Sequence, residues 1–209
     1  MKVYHGTSMK IEHADLSKSR TDVDFGIGFY LTQNKGMAKK WAANKATSVI
    51  NEYELNLEGL NVVKLNLDEQ WLNFVSYNRG FGNIEFNTDG IDVIIGPTAD
   101  DILFGTLEQY FDGAISAEQA IRYLNVAGFS NQIVLKTEKA INNLSYLSHQ
   151  KLNKQEQYAT KKEAQFERNV ALTSLKKMIE LDKAEQNKNI QILKGEIVSN
   201  VSGEYDEIG

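Results

Sequence analysis

The feature that most limits how this chain can fold is a break in composition near Leu152. Upstream, short apolar runs alternate with polar and glycine-containing segments. Downstream, Asn153 to Lys188 is dominated by Lys, Glu, Gln and Ala. Within that second stretch Phe166, Val170, Leu172, Leu175, Ile179 and Leu181 recur at roughly helical spacing, which predicts one long amphipathic helix. Such a helix either lies on the preceding domain or serves as an arm for a partner. Ser199 to Gly209 reads as a loose acidic tail. The expected organisation is a domain over residues 1–152, a helical extension over 153–198 and a tail over 199–209. A chain of 209 residues suits that division, because single domains cluster near ~100–200 residues.

Residues 1–152 read as a mixture of strands and helices. Lys2 to His5, Phe29 to Gln33, Tyr53 to Leu57, Val62 to Leu67, Ile133 to Leu135 and Leu144 to Leu147 suit strands. Ile91 to Ile95 reads as a buried strand closed by Gly96-Pro97. Helices are expected over Met37 to Ser48 behind an Asn34 cap, over Leu72 to Tyr77 behind Asp68, and from Thr98 to about Tyr110. Another begins at Ser116, where Ser116-Ala-Glu-Gln119 has the capping-box spacing.

Composition excludes several classes. The chain has no cysteine, so disulfides and thiolate metal sites are ruled out. Its three histidines, His5, His13 and His149, include no i,i+4 pair, which argues against a zinc site built on such a pair. No metal is expected. The opening Met-Lys-Val-Tyr-His-Gly has no apolar leader core, and no run approaches ~18 apolar residues, so a cytoplasmic protein without membrane contact is expected. A net charge of −5 gives no global attraction to phosphate backbones, although a local basic groove remains compatible with it.

The residues that suggest chemistry come in a fixed order. Tyr4-His5-Gly6-Thr7 ends the first strand. Gly26-Ile27-Gly28-Phe29-Tyr30-Leu31-Thr32 enters the second. Ala38-Lys39-Lys40-Trp41 lies on the following helix, with Trp41 eleven residues after Tyr30. Glycines allow backbone to approach a ligand closely, and two rings on neighbouring elements can flank a flat heterocycle. Arg20 suits a pyrophosphate grip or a solvated surface equally. Asp24 reads as a turn residue rather than a base.

This ordered set resembles the ADP-ribosyltransferase superfamily of the diphtheria-toxin and poly(ADP-ribose) polymerase type. That type carries a His-Gly-(Ser/Thr) motif, then Gly-x-Gly-x-Tyr, then a second aromatic eleven residues on. His5, Gly6, Tyr30 and Trp41 match, with Trp replacing the usual Tyr. The run Arg20 to Thr32 and the pieces Asp92 to Asp101 and Asn131 to Ala140 look most like an uncharacterised bacterial family within that superfamily. The likeness covers roughly residues 1–150.

The resemblance implies an α+β fold, a split β-sandwich of two packed antiparallel sheets with flanking helices that forms an NAD cleft. It implies NAD as co-substrate, with His5 on the adenosine ribose, Gly6 backbone on the nicotinamide amide, and Tyr30 and Trp41 on its ring. Thr7, Arg20 and Gly28 complete the implied binding set. Gln132 occupies the position of the superfamily's glutamate, which makes His5, Tyr30 and Gln132 the implied catalytic residues. A glutamine can bond a ribose hydroxyl but supplies neither full charge nor a base. Asp100 and Asp101 are alternative sources of a carboxylate. The implied activity is that of a glycosyltransferase moving one ADP-ribose to a protein or nucleic acid and releasing nicotinamide, as in a bacterial toxin or defence effector. Hydrolysis of NAD and silent NAD or ADP-ribose binding are the rival readings. A toxin of this kind needs a cognate inhibitor, so an antitoxin protein joins the expected partners.

Overall fold

The computed structural model describes residues 1–21, 23–81, 86–99, 104–128 and 130–205. The chain divides into two compact units, Met1–Asn169 and Val170–Gly209. The first is mixed α+β and holds two sheets. Its strands are β1 Lys2–Thr7, β2 Phe29–Leu31, β3 Val49–Leu55, β4 Val62–Lys64, β5 Val93–Pro97, β6 Asn131–Leu135 and β7 Leu144–Lys151. Its helices are α1 Lys35–Ala43, α2 Glu69–Asn78, α3 Phe104–Phe111, α4 Ala117–Leu124 and α5 Glu138–Asn142, followed by the start of α6 Lys154–Tyr205. The second unit is the continuation of α6. No described helix is long and apolar enough to cross a membrane.

Local signals explain most helix starts. Asn34 accepts from the Met37 N–H at 3.2 Å and Asp68 from the Trp71 N–H at 3.0 Å. Ser116 and Gln119 form the reciprocal capping box, closed at 3.2 and 3.0 Å. Helix α1 stops at Ala43, where Asn44 turns its N–H back to the Ala42 carbonyl. Strand β3 therefore begins at Val49, earlier than the Tyr53 expected from alternation. The alternation is hidden because Val49, Ile50 and Asn51 are all buried. The buried Asn51 amide accepts from Ile11 N–H and donates to Met9 O, both at 3.0 Å, and so ties down the loop after β1. Helix α6 runs on to Tyr205, through residues that read as a tail.

One sheet has the order β1-β3-β7 and the other β2-β6-β5-β4. All neighbours are antiparallel except β4 and β5, which run parallel. That departs from an all-antiparallel expectation. The chain between β4 and β5 passes through α2, and a parallel pair requires a crossover of this kind. Between the sheets lie Val3, Phe29, Leu31, Tyr53, Leu55, Val93, Ile133 and Leu135, all buried. Fully burying such side chains stabilises by about 1.5–3 kcal/mol each. Trp71 on α2 is buried, and its indole N–H donates to Pro97 O at 2.9 Å.

Among the described residues one backbone bridge joins the sheets. Tyr4 and Thr32 exchange backbone hydrogen bonds of 2.8 and 2.9 Å. Beyond this bridge β1 and β2 part, and a cleft opens beside it.

Candidate functional site

The cleft measures about 1450 Å³ and is lined by His5, Gly6, Thr7, Arg20, Gly28, Tyr30, Trp41 and Gln132. Every site residue expected from the sequence therefore reaches one cavity, from β1, β2, β6, α1 and the loops between them. Asp100 and Asp101 lie outside the described residues.

His5 sits one residue past the Tyr4–Thr32 bridge. Its Nδ1 lies 2.7 Å from the Tyr30 carbonyl, across the join between the sheets. A carbonyl only accepts, so Nδ1 carries the proton, and in the neutral ring Nε2 keeps its lone pair. Burial pushes the His5 pKa down, partly opposed by the Tyr30 carbonyl, so the neutral form is favoured. The imidazole stacks on Phe29 with centroids 4.5 Å apart, which fixes the ring plane. His5 thus offers a preset acceptor.

Tyr30 is held at its far end. Its hydroxyl accepts from Phe25 N–H at 3.0 Å and donates to Gly26 O at 2.7 Å. Burial pushes the phenol well above its ordinary value, so it stays protonated. The loop that receives it is clamped twice more. Lys136 Nζ donates to Phe25 O at 2.7 Å, and Asn78 Nδ2 donates to Asp24 O at 3.2 Å. Burial lowers the Lys136 ammonium to about 8.

Two glycines answer to the protein itself. A Cβ on Gly6 would lie 2.0 Å from the Ala38 carbonyl, so β1 and α1 touch through bare backbone. A Cβ on Gly28 would lie 2.3 Å from Val134 Cγ1. Both positions also line the cleft, but fold packing alone demands glycine there. Thr7 closes β1 opposite Val49 and is half-buried. Trp41, also half-buried, enters from α1. Arg20 is exposed and lines the cleft from the loop between β1 and β2.

The element that sequence reasoning missed lies behind Gln132. Asp24 is buried, 5% exposed, and its carboxylate accepts four hydrogen bonds. Arg79 gives two of them, from Nε at 2.8 Å and from a closely placed Nη2. Ala99 N–H gives a third at 2.8 Å, and Gln132 Nε2 the fourth at 2.8 Å. Burial raises the Asp24 carboxyl, while Arg79, Ala99 and Gln132 pull it back. Both oxygens face only donors, which suits the ionised form. The acceptor also fixes the Gln132 amide: its nitrogen must face Asp24, so its oxygen is the end with capacity left. Asp24 is a turn residue, as expected, in the turn that Gly26 N–H closes on Val23 O at 3.0 Å, and it is also a buried anchor. Its partner Arg79 follows the end of α2, 55 residues away, and no local pattern joins the two.

The remaining acidic lining is also engaged. Glu12 pairs with Lys10, Asp15 with Lys18 at 3.2 Å, and Glu167 with Lys40.

Residues 1–146 match the profile of a family described as "Protein of unknown function (DUF3990)". The chain belongs to this family. No curated protein and no solved structure matches the chain. In this DUF3990 member the matched span includes every residue named from the sequence as lining the cleft. It excludes α6, whose first turns add Lys161, Gln165 and Arg168 to the lining.

Proposed function

We propose that the cleft binds NAD and that the protein transfers a single ADP-ribose unit to a macromolecular acceptor. On this reading the two sheets are the split sandwich of the ADP-ribosyltransferase superfamily. The observation that carries it is the convergence of His5, Gly6, Tyr30, Trp41 and Gln132 on one cavity, although His5 and Gln132 lie far apart in the chain. The neutral Nε2 of His5 accepts from a ribose hydroxyl. Tyr30 and Trp41 offer ring faces to nicotinamide, a contact worth about 0.5–1.5 kcal/mol beyond area burial. The Gln132 carbonyl, aimed by Asp24, accepts from the ribose nearer the scissile bond.

In the reaction the bond between ribose C1 and the nicotinamide nitrogen breaks, and nicotinamide leaves with the electron pair. A nucleophilic atom of the acceptor bonds to C1 and its proton passes to solvent. Gln132 cannot take that proton, which restricts the enzyme to nucleophiles that need no strong base and to one unit per site.

A second reading, a silent NAD or ADP-ribose binding module, is favoured by one feature: each described carboxylate lining the cleft already has a partner. Nicotinamide release from NAD, with and without cell lysate, separates the readings. Release only with lysate marks a transferase, and release without it an NAD glycohydrolase. Binding of NAD with no release in either case marks the module and ends the transferase reading.

A further inference from the structure

The cleft is far more basic than the chain. Among the described residues eight Lys and Arg line it against four Asp and Glu, in a protein of net charge −5. The surplus is concentrated on one wall. Gln157 near the start of α6 donates from Nε2 to Ala43 O at 2.9 Å and to Lys45 O at 2.7 Å. Further along, Glu167 pairs with Lys40. These contacts lay the first turns of α6 alongside α1. Residues 157, 161, 164 and 168 recur at helical spacing, which turns Lys161 and Arg168 toward the cavity. Lys45, Lys161 and Arg168 are exposed, and none has a carboxylate partner among the described residues.

We propose that Lys45, Lys161 and Arg168 seat the phosphodiester backbone of a single-stranded nucleic acid, and that this strand is the ADP-ribose acceptor. Three arguments favour it. First, Asn44 and Gln165 accompany the cations on this wall, and of its apolar lining, Met37, Trp41 and Ala164, the one ring, Trp41, is taken up by nicotinamide on the proposed reading. A protein partner needs a buried aromatic or aliphatic anchor, whereas Lys, Arg, Asn and Gln are the side chains that hold phosphate. Second, Lys161 and Arg168 are seven residues apart, about 10 Å along a helix at 1.5 Å per residue. That follows a run of backbone phosphates rather than one isolated anion. Third, the cavity of about 1450 Å³ exceeds the ~300–1,000 Å³ of ordinary small-ligand pockets. Room is left for part of a second substrate beside a dinucleotide. A duplex would keep its bases out of such a cleft, so an unpaired strand fits.

The docking surface stands on charge alone; the acceptor role rests on the transferase reading. The test is fluorescence anisotropy of labelled single-stranded DNA and RNA oligonucleotides over a salt series. The full chain is compared with K45E/K161E/R168E and, as a milder variant, K45Q/K161Q/R168Q, each checked for an unchanged thermal melt. At low salt the parent binds, and the triple Glu variant loses at least about tenfold in affinity. Its plot of log K against log salt is shallower by about 2, from three phosphate contacts at about 0.7 each. Equal slopes in parent and variants overturn the docking surface. Competition by poly-glutamate as strong as by an oligonucleotide of equal charge assigns the wall to an acidic polypeptide instead. Labelled NAD is then added to the same oligonucleotides. Label carried onto the strand by the parent and lost in the variants supports the acceptor role. Lysate-dependent nicotinamide release with label only in protein overturns that role but leaves the transferase reading intact. Oligonucleotide binding with no NAD cleavage under any condition removes both.

Discussion

Gln132 is where one side chain meets two tasks. Its nitrogen completes the coordination of Asp24, which leaves its oxygen as the end with hydrogen-bonding capacity in a residue that lines the cleft. Gln132→Ala takes one of four donors from a buried carboxylate, which costs about 1–3 kcal/mol. Arg79→Ala takes two and leaves the charge uncompensated, which costs about 3–5 kcal/mol. Chemical denaturation should rank Arg79→Ala as the more damaging; equal losses would mean that the pair is not the anchor. Gln132→Glu sets a second carboxyl against Asp24, so the new group keeps its proton in the folded state and its pKa rises above ~4.3. The unfolded chain releases that proton first, so relative to the parent this variant loses stability as pH climbs above that value. A Tm difference that does not change with pH would sink the assignment. His5 behaves in the opposite sense. Its folded pKa is lowered, so the unfolded chain takes up a proton first and stability falls as pH drops below 6.5. Its imidazole resonance, assigned by its loss in His5→Asn, should titrate with a midpoint below 6.5; a midpoint at or above that value would contradict the protected neutral ring. His5, Tyr30, Trp41 and Gln132 were legible because their order along the chain resembles a known pattern. Asp24 and Arg79 were not, because an ion pair across 55 residues leaves no mark on either neighbourhood.

At the level of elements, caps decided what was readable. Asn34, Asp68 and Ser116 act through hydrogen bonds to residues three positions on, so the signal and its partner share one window. Strand β3 escaped because consecutive residues at its start are buried on both faces and break the alternation that marks a half-buried strand. The parallel placement of β4 beside β5 escaped too, since pairing direction depends on how α2 crosses the sheet. The join of β1 to α1 shows how such contacts constrain the cleft. Ala38 and Ala42 give α1 a buried small-residue face, and Gly6 meets it without a side chain. Gly6→Ala must push α1 outward and carry Trp41 with it. The expected loss is about 1–3 kcal/mol, as for other overpacked sites, together with weaker NAD binding. A full-strength ligand titration in a destabilised Gly6→Ala protein would show that Trp41 is not part of the binding surface.

For the whole molecule, the composition break near Leu152 marks where α6 begins but not where the compact unit ends. The chain becomes rich in Lys, Glu and Gln because α6 is largely solvated, and composition reports solvation rather than attachment. The unit runs through Asn169. Its last turns are held by Gln157 on the Ala43 and Lys45 carbonyls and by Glu167 on Lys40. None of these contacts is apolar, so the apolar spacing of the stretch could not announce them. Two shortened chains separate the boundaries. Ending at Asn169 keeps every one of those contacts and the basic wall, and should leave a cooperative unfolding transition with oligonucleotide binding intact. Ending at Leu152 removes both Gln157 hydrogen bonds, at about 1 kcal/mol each, along with Lys161 and Arg168. Its Tm should fall below that of the longer piece, and its oligonucleotide affinity should drop with it. If the two pieces melt together and bind alike, the first turns of α6 are not part of the domain, and the cleft ends at α1.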